Sequence, residues 1–207
     1  MELKGKKINF LGDSITQGVG ASCESARYIN LVAEKTGAVC RNYGVGGTQL
    51  VKQYWGNDRV DFNFRADGMD RDADIVVIFG GTNDFGHCVN IGAPTDRTID
   101  TFYGAAHSLF YKVVEMFPEA TVVVLTPFHR FGENLFREGG DRLARYREVL
   151  CEVAEYYSLP VLDLWSESGI QPHVPLLKEK YMPDGLHPND VGHALLADMV
   201  VKFLSSL

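Results

Sequence analysis

Asp74-Ile75-Val76-Val77-Ile78-Phe79 carries five consecutive apolar residues with none of the polar alternation of a strand that faces water on one side. A strand of this kind is buried on both faces, as in a parallel sheet covered by helices above and below. Val122-Val123-Val124-Leu125 reads the same way. The two central strands are therefore expected within Asp74–Phe79 and Thr121–Leu125, and outward from them Lys7–Leu11, Val39–Asn42 and Val161–Asp163 complete five. Between the strands, Ala26–Lys35, Ile99–Phe117, Asp141–Tyr157 and Asn189–Leu204 show apolar residues at helical spacing. In the third, Leu143, Tyr146, Val149, Leu150 and Val153 share one stripe while Arg142, Arg145, Glu148 and Glu152 lie off it. Strands alternating with amphipathic helices predict an α/β fold with helices on both faces of a parallel sheet.

At 207 residues and 45% hydrophobic content, with no internal repeat or Ser/Pro-rich linker, the chain is expected to form one domain over 1–207. Its net charge of −7, with no block of Lys and Arg, opposes binding to nucleic acid or anionic membranes. A small, neutral or cation-tolerant partner fits better. The run Ile8 to Leu11 is too short for a signal-peptide core. No stretch approaches the roughly 18 apolar residues of a membrane span. A cytoplasmic protein without stable membrane insertion is the expectation. Cys23, Cys40, Cys88 and Cys151 form no C-x-x-C pair, so neither a zinc knuckle nor a disulfide framework is indicated.

Ligands of an open parallel sheet collect at the carboxyl ends of its strands. Four short segments fall there. Gly12-Asp13-Ser14 follows the first strand, Asn42-Tyr43-Gly44-Val45-Gly46-Gly47 the second and Gly81-Thr82-Asn83-Asp84 the third, while Asp184-Gly185-Leu186-His187 lies in the long connection after the fifth. Each alone reads as turn chemistry, and Ser14 before Gly18 and Gly20 resembles a phosphate cradle, although no nucleotide-binding glycine motif follows it. Together they supply a nucleophile, a base with its acidic partner, and oxyanion donors. A serine hydroxyl needs a neighbouring base to take its proton, and His187 is the candidate. Asp184 could accept the other imidazole N–H and set the tautomer. The backbone N–H groups of Ser14 and Gly47 and the side-chain amide of Asn83 could face a tetrahedral oxyanion, with glycine at 47 letting the main chain approach substrate without a Cβ.

These four blocks, in this order from Leu11 to Pro188, resemble the consensus blocks of the SGNH, or GDSL, esterase and lipase family. The resemblance implies Ser14 as nucleophile, Asp184 and His187 as its acid–base pair, and Gly47 and Asn83 as oxyanion donors beside Ser14. It also implies a flavodoxin-like three-layer α/β/α fold with neither metal nor organic cofactor. Asp13 and Asp84 are expected to bond backbone amides and stiffen their loops rather than to ligate a metal with His187.

The remaining readings are less specific. His193 is expected in the last helix, on the surface or in the core. His87, His107, His129 and His173 show no acidic partner at short spacing, although His87 and His129 follow strand ends near the pocket. Trp55, Phe128, Phe131 and Trp165 are candidate pocket walls, and Asn83–Asp96 and Leu164–Pro183 are expected to be irregular loops. The function expected is hydrolysis of small acyl esters, acetyl or short-chain, with an acetylated carbohydrate among the substrates. A lysophospholipase, a thioesterase, an acyltransferase and a non-catalytic binding domain of the same fold are the alternatives.

Overall fold

The computed structural model describes residues 1–135 and 140–207. In chain order its elements are β1 (Lys7–Gly12), α1 (Ser14–Gln17), α2 (Tyr28–Thr36), β2 (Val39–Gly44), β3 (Tyr54–Trp55), β4 (Asp58–Arg59), α3 (Phe62–Arg65), β5 (Ile75–Phe79), α4 (Thr82–Gly86), α5 (Phe102–Met116), β6 (Thr121–Leu125), α6 (Leu143–Tyr156), β7 (Val161–Leu162), α7 (Leu164–Glu167), α8 (Pro175–Tyr181) and α9 (Asp190–Ser206). The main sheet has five parallel strands in the order β2-β1-β5-β6-β7. The order reverses at β1 and β5, so the crevice that suits a ligand opens above their carboxyl ends.

The period of two along each strand divides the core. Val76 and Ile78 of β5, with Val122 and Val124 of β6, pack in one cluster with α5 and α6. Ile75, Val77 and Phe79, with Val123 and Leu125, pack on the opposite face with α2 and α9. All five residues of β5 are buried, as its unbroken apolar run requires. α5 buries Ala105, Ala106, Leu109, Phe110 and Val113 completely, and each large apolar side chain withdrawn from water contributes roughly 1.5–3 kcal/mol. Thr101 caps this helix by accepting from the Gly104 N–H, and Asn189 caps α9 by accepting from Gly192. No helix among the described residues is long and apolar enough to cross a membrane.

Several expectations need correction. The stretches expected to be irregular contain helices: Asn83 lies in α4, and the segment after β7 holds α7 and α8. Glycine and proline act there as boundaries rather than breakers. Gly81, at φ +104°, precedes α4, and Pro175 occupies the first turn of α8, where its missing N–H costs nothing. α2 and α5 begin at Tyr28 and Phe102, later than Ala26 and Ile99, because a 3₁₀ turn and a Thr101 cap occupy the preceding residues. The β3–β4 hairpin and α3 were not anticipated.

Candidate active site

The segment after β1 turns at once into a one-turn helix. Gly12 permits this, since a Cβ there would lie 2.0 Å from Thr16 Oγ1. Asp13 caps α1, its Oδ1 accepting the Ile15 N–H at 3.0 Å, and Ser14 is the first helical residue. Ser14 is 7% exposed. Burial pushes the Asp13 carboxyl up to about 6, against the Ile15 N–H and the nearby His187 and Arg65, which pull it down.

Asp184 and His187 meet Ser14 from the segment before α9. Asp184 Oδ1 accepts the N–H groups of Leu186 at 2.8 Å and His187 at 2.7 Å. Its Oδ2 lies 2.7 Å from His187 Nδ1, and His187 Nε2 lies 3.0 Å from Ser14 Oγ. Burial raises the Asp184 carboxyl, but the backbone and imidazole hydrogen bonds outweigh it and hold the group below the ordinary aspartate value. An ionised Asp184 accepts only, so Nδ1 carries the hydrogen and Nε2 is left to accept from the serine hydroxyl. Gly185, at φ +79°, makes the turn between them, and a Cβ there would strike the Phe131 ring at 2.4 Å.

The Gly47 loop reaches the same point from β2. Gly47 has φ +75°; its carbonyl accepts from Gln53 Nε2 at 3.0 Å, and the Gly46 N–H before it donates to Gln17 Oε1 at 2.8 Å. Asn83, on α4, donates Nδ2 to the Thr48 carbonyl at 3.0 Å, which ties its amide to the residue after Gly47. The N–H groups of Ser14 and Gly47 and the second Nδ2 hydrogen of Asn83 have no acceptor among the described residues. Ser14, Asp184 and His187 thus form one hydrogen-bonded line. Asn83 on α4 is tied to the loop that carries Gly47, and a Cβ built on Gly46 in that loop would lie 3.4 Å from Ser14 Cβ.

The half-buried Arg65 and the buried Asp84 secure that loop. Arg65 donates Nη1 to the Tyr43 carbonyl at 2.6 Å, Nη2 to the Gly12 carbonyl at 3.0 Å and Thr48 Oγ1 at 2.8 Å, and Nε to the Val60 carbonyl at 3.0 Å. It therefore binds the ends of β1 and β2 to the loop. Burial lowers its guanidinium to about 10, leaving it charged at neutral pH. Asp84 accepts the N–H groups of Leu50 and Val51 at 3.1 Å, and burial pushes its carboxyl up to about 7. Asp13 and Asp84 both act on backbone amides, as expected. No group of three or more His, Cys, Asp or Glu among the described residues is placed to hold a metal ion.

The other candidates separate. His87 is exposed, with Nδ1 2.6 Å from Gln49 Nε2, next to Asn83. His193 is a core residue stacked on Tyr28. His129 has an acidic partner after all: Nδ1 lies 3.0 Å from both carboxylate oxygens of the buried Glu133, and the ring packs against Trp165 at 3.7 Å between centroids, tilted by 36°. The four-residue spacing was visible in the sequence. Arg65 gave no such signal, because its partners lie 5 to 53 residues away.

With a parallel sheet in the order β2-β1-β5-β6-β7 and these blocks at its carboxyl edge, the chain belongs to the GDSL-like lipase/acylhydrolase family, whose model matches residues 10–195. It is similar over 100% of its length, and 99% of the other chain, to a solved structure at 32% identity and a TM-score of 0.91. A protein from Lactobacillus plantarum is 27% identical, with 98% of each chain covered and a TM-score of 0.88. A lipase/acylhydrolase from Enterococcus faecalis, 24% identical with 97% of this chain and 96% of that one covered, shares the fold at a TM-score of 0.68. Among curated proteins there is no match.

Proposed function

We propose that the protein is a serine esterase of small acyl esters, acetyl or short-chain, working through an acyl-serine intermediate. The observation that carries this reading is the unbroken line from Ser14 Oγ through the His187 imidazole to Asp184, at 3.0 and 2.7 Å. Nε2 takes the hydroxyl proton as Oγ attacks the ester carbonyl, and Asp184 stabilises the imidazolium that forms. The carbonyl oxygen becomes negative and faces the Ser14 and Gly47 N–H groups and the Asn83 amide. Each such donor typically lowers the barrier by a few kcal/mol. As the intermediate collapses, His187 returns the proton to the departing alcohol. A water molecule then gives its proton to Nε2 and attacks the acyl-serine, and a second collapse frees the acid and restores the serine hydroxyl.

The test is hydrolysis of p-nitrophenyl esters from acetyl to palmitoyl, by the natural protein and by Ser14→Ala. Turnover concentrated on acetyl and butyryl esters and reduced at least about a thousandfold in the variant is the expected result. Unchanged turnover in Ser14→Ala would refute the mechanism. A palmitoyl preference would refute the short-chain assignment.

A further inference from the structure

An exposed aromatic side chain stands beside the Gly47 loop, and the proposed chemistry does not use it. β3 and β4 form a two-residue antiparallel hairpin in which Trp55 pairs with Asp58 and Tyr54 with Arg59. Directly paired residues of antiparallel strands project to the same face. Trp55 and Asp58 therefore share one face, and Tyr54 and Arg59 the other. Trp55 is 48% exposed, yet its indole edge lies against the site: a Cβ built on Gly47 would sit 3.7 Å from Cζ2.

The base of the hairpin is held firmly. The Val60 N–H donates to the Gln53 carbonyl at 3.0 Å and the Gln53 N–H to Asp61 Oδ2 at 3.3 Å, while the Gln53 side chain spans from the Gln49 N–H to the Gly47 carbonyl. Asp61 is buried and engaged by Arg59. Asp58 is exposed and has no hydrogen-bond or ion-pair partner among the described residues.

We propose that Trp55 and Asp58 form a subsite for the pyranose ring of a sugar ester whose acyl group is cut at Ser14. A flat indole with one face open to water can cover the C–H face of a sugar ring, and a free carboxylate on the same side can accept its hydroxyl protons. An acyl chain calls instead for an apolar, water-excluding channel. The surface here is a half-exposed ring that shares its face of the hairpin with the exposed Asp58, beside the exposed turn at Gly56 and Asn57. The proposal rests on the esterase reading and deepens it, by assigning the alcohol part of the substrate.

The test compares methyl 6-O-acetyl-glucopyranoside with ethyl acetate, an ester with no ring to stack. Trp55→Ala and Asp58→Asn should each lower kcat/KM for the sugar ester about tenfold, chiefly through KM, and leave ethyl acetate unchanged, while Trp55→Phe keeps most of the preference. Equal losses on both esters, or no loss on either, would overturn the subsite, as would a natural protein that cleaves ethyl acetate but not the sugar ester. The second measurement does not require turnover. In Ser14→Ala protein titrated with the sugar ester, the Trp55 indole N–H resonance should shift and that of Trp165 stay still. A stationary Trp55 signal overturns the subsite even where the esterase reading holds. A shifted signal in a protein that hydrolyses no ester sustains the subsite and defeats the esterase reading.

Discussion

Asn83 donates its side-chain amide to the Thr48 carbonyl at 3.0 Å, so the amide is aimed by the residue that follows Gly47. One Nδ2 hydrogen is committed to this bond, and the proposed mechanism assigns the other to the oxyanion. Asn83→Ala should therefore lower kcat by about 10²–10³ with KM little altered, because the lost bond exists chiefly in the transition state. Steady-state kinetics on p-nitrophenyl acetate measures both constants. A raised KM at unchanged kcat would count against the role.

Gly20 touches the segment that carries His187. A Cβ there would come within 2.1 Å of the Pro188 carbonyl oxygen and 3.3 Å of His187 Cβ, at a backbone φ of +95°. Gly20→Ala should push that segment away from Ser14 and reduce kcat on p-nitrophenyl acetate about tenfold or more. Gly5→Ala is the control: Gly5 has φ +74° with no atom within 4 Å of an added Cβ. Thermal melts should show backbone strain of about 1–2 kcal/mol in Gly5→Ala and a larger loss in Gly20→Ala, where the clash adds to it, while only Gly20→Ala loses activity.

Arg65 serves four oxygen acceptors, at the ends of β1 and β2, in the Gly47 loop and at Val60, which a lysine ammonium cannot match in geometry. Arg65→Met should cost about 1–3 kcal/mol, measured by urea denaturation, because part-buried carbonyls lose their donor. Arg65→Lys should recover part of the stability and little of kcat. Full recovery by lysine would show that the charge alone suffices.

Asp84 has a pH signature of definite sign. Burial raises its carboxyl from 3.8 to about 7, with the neighbouring Asp13 charge adding to the effect. The folded chain thus holds this proton more tightly than the unfolded one. The resulting stabilisation is complete below about pH 4 and is lost as pH rises through about 7. Asp84→Asn keeps an acceptor for the Leu50 and Val51 N–H groups and has no proton to lose. Its Tm minus that of the natural protein should therefore climb from pH 4 to pH 8. A difference independent of pH would refute the assignment.

Much of this architecture was legible in the chain. The unbroken run Ile75 to Phe79 announced a strand buried on both faces, and the four blocks announced the sheet edge where Ser14, Gly47, Asn83, Asp184 and His187 are found. Such features are local: they depend on spacing, on a turn, or on the end of a strand. α4 and α8 escaped notice because glycine and proline look alike as breakers and as helix starts until φ and position are known. Arg65 escaped notice because nothing within α3 distinguishes a surface arginine from one that crosses to Gly12 and Tyr43.

By itself, then, the sequence determined the α/β class, the order of the strands along the chain and the residues that could do acyl chemistry, since hydrophobic periodicity and turn residues act over a few positions. Only the tertiary structure decided that His187 Nε2 stands 3.0 Å from Ser14 Oγ across 173 residues, that Arg65 ties two strand ends to the Gly47 loop, and that Trp55 and Asp58 share a face beside it. Those relationships arise from packing helices on both faces of a parallel sheet, which brings together side chains whose separation along the chain carries no record of their meeting.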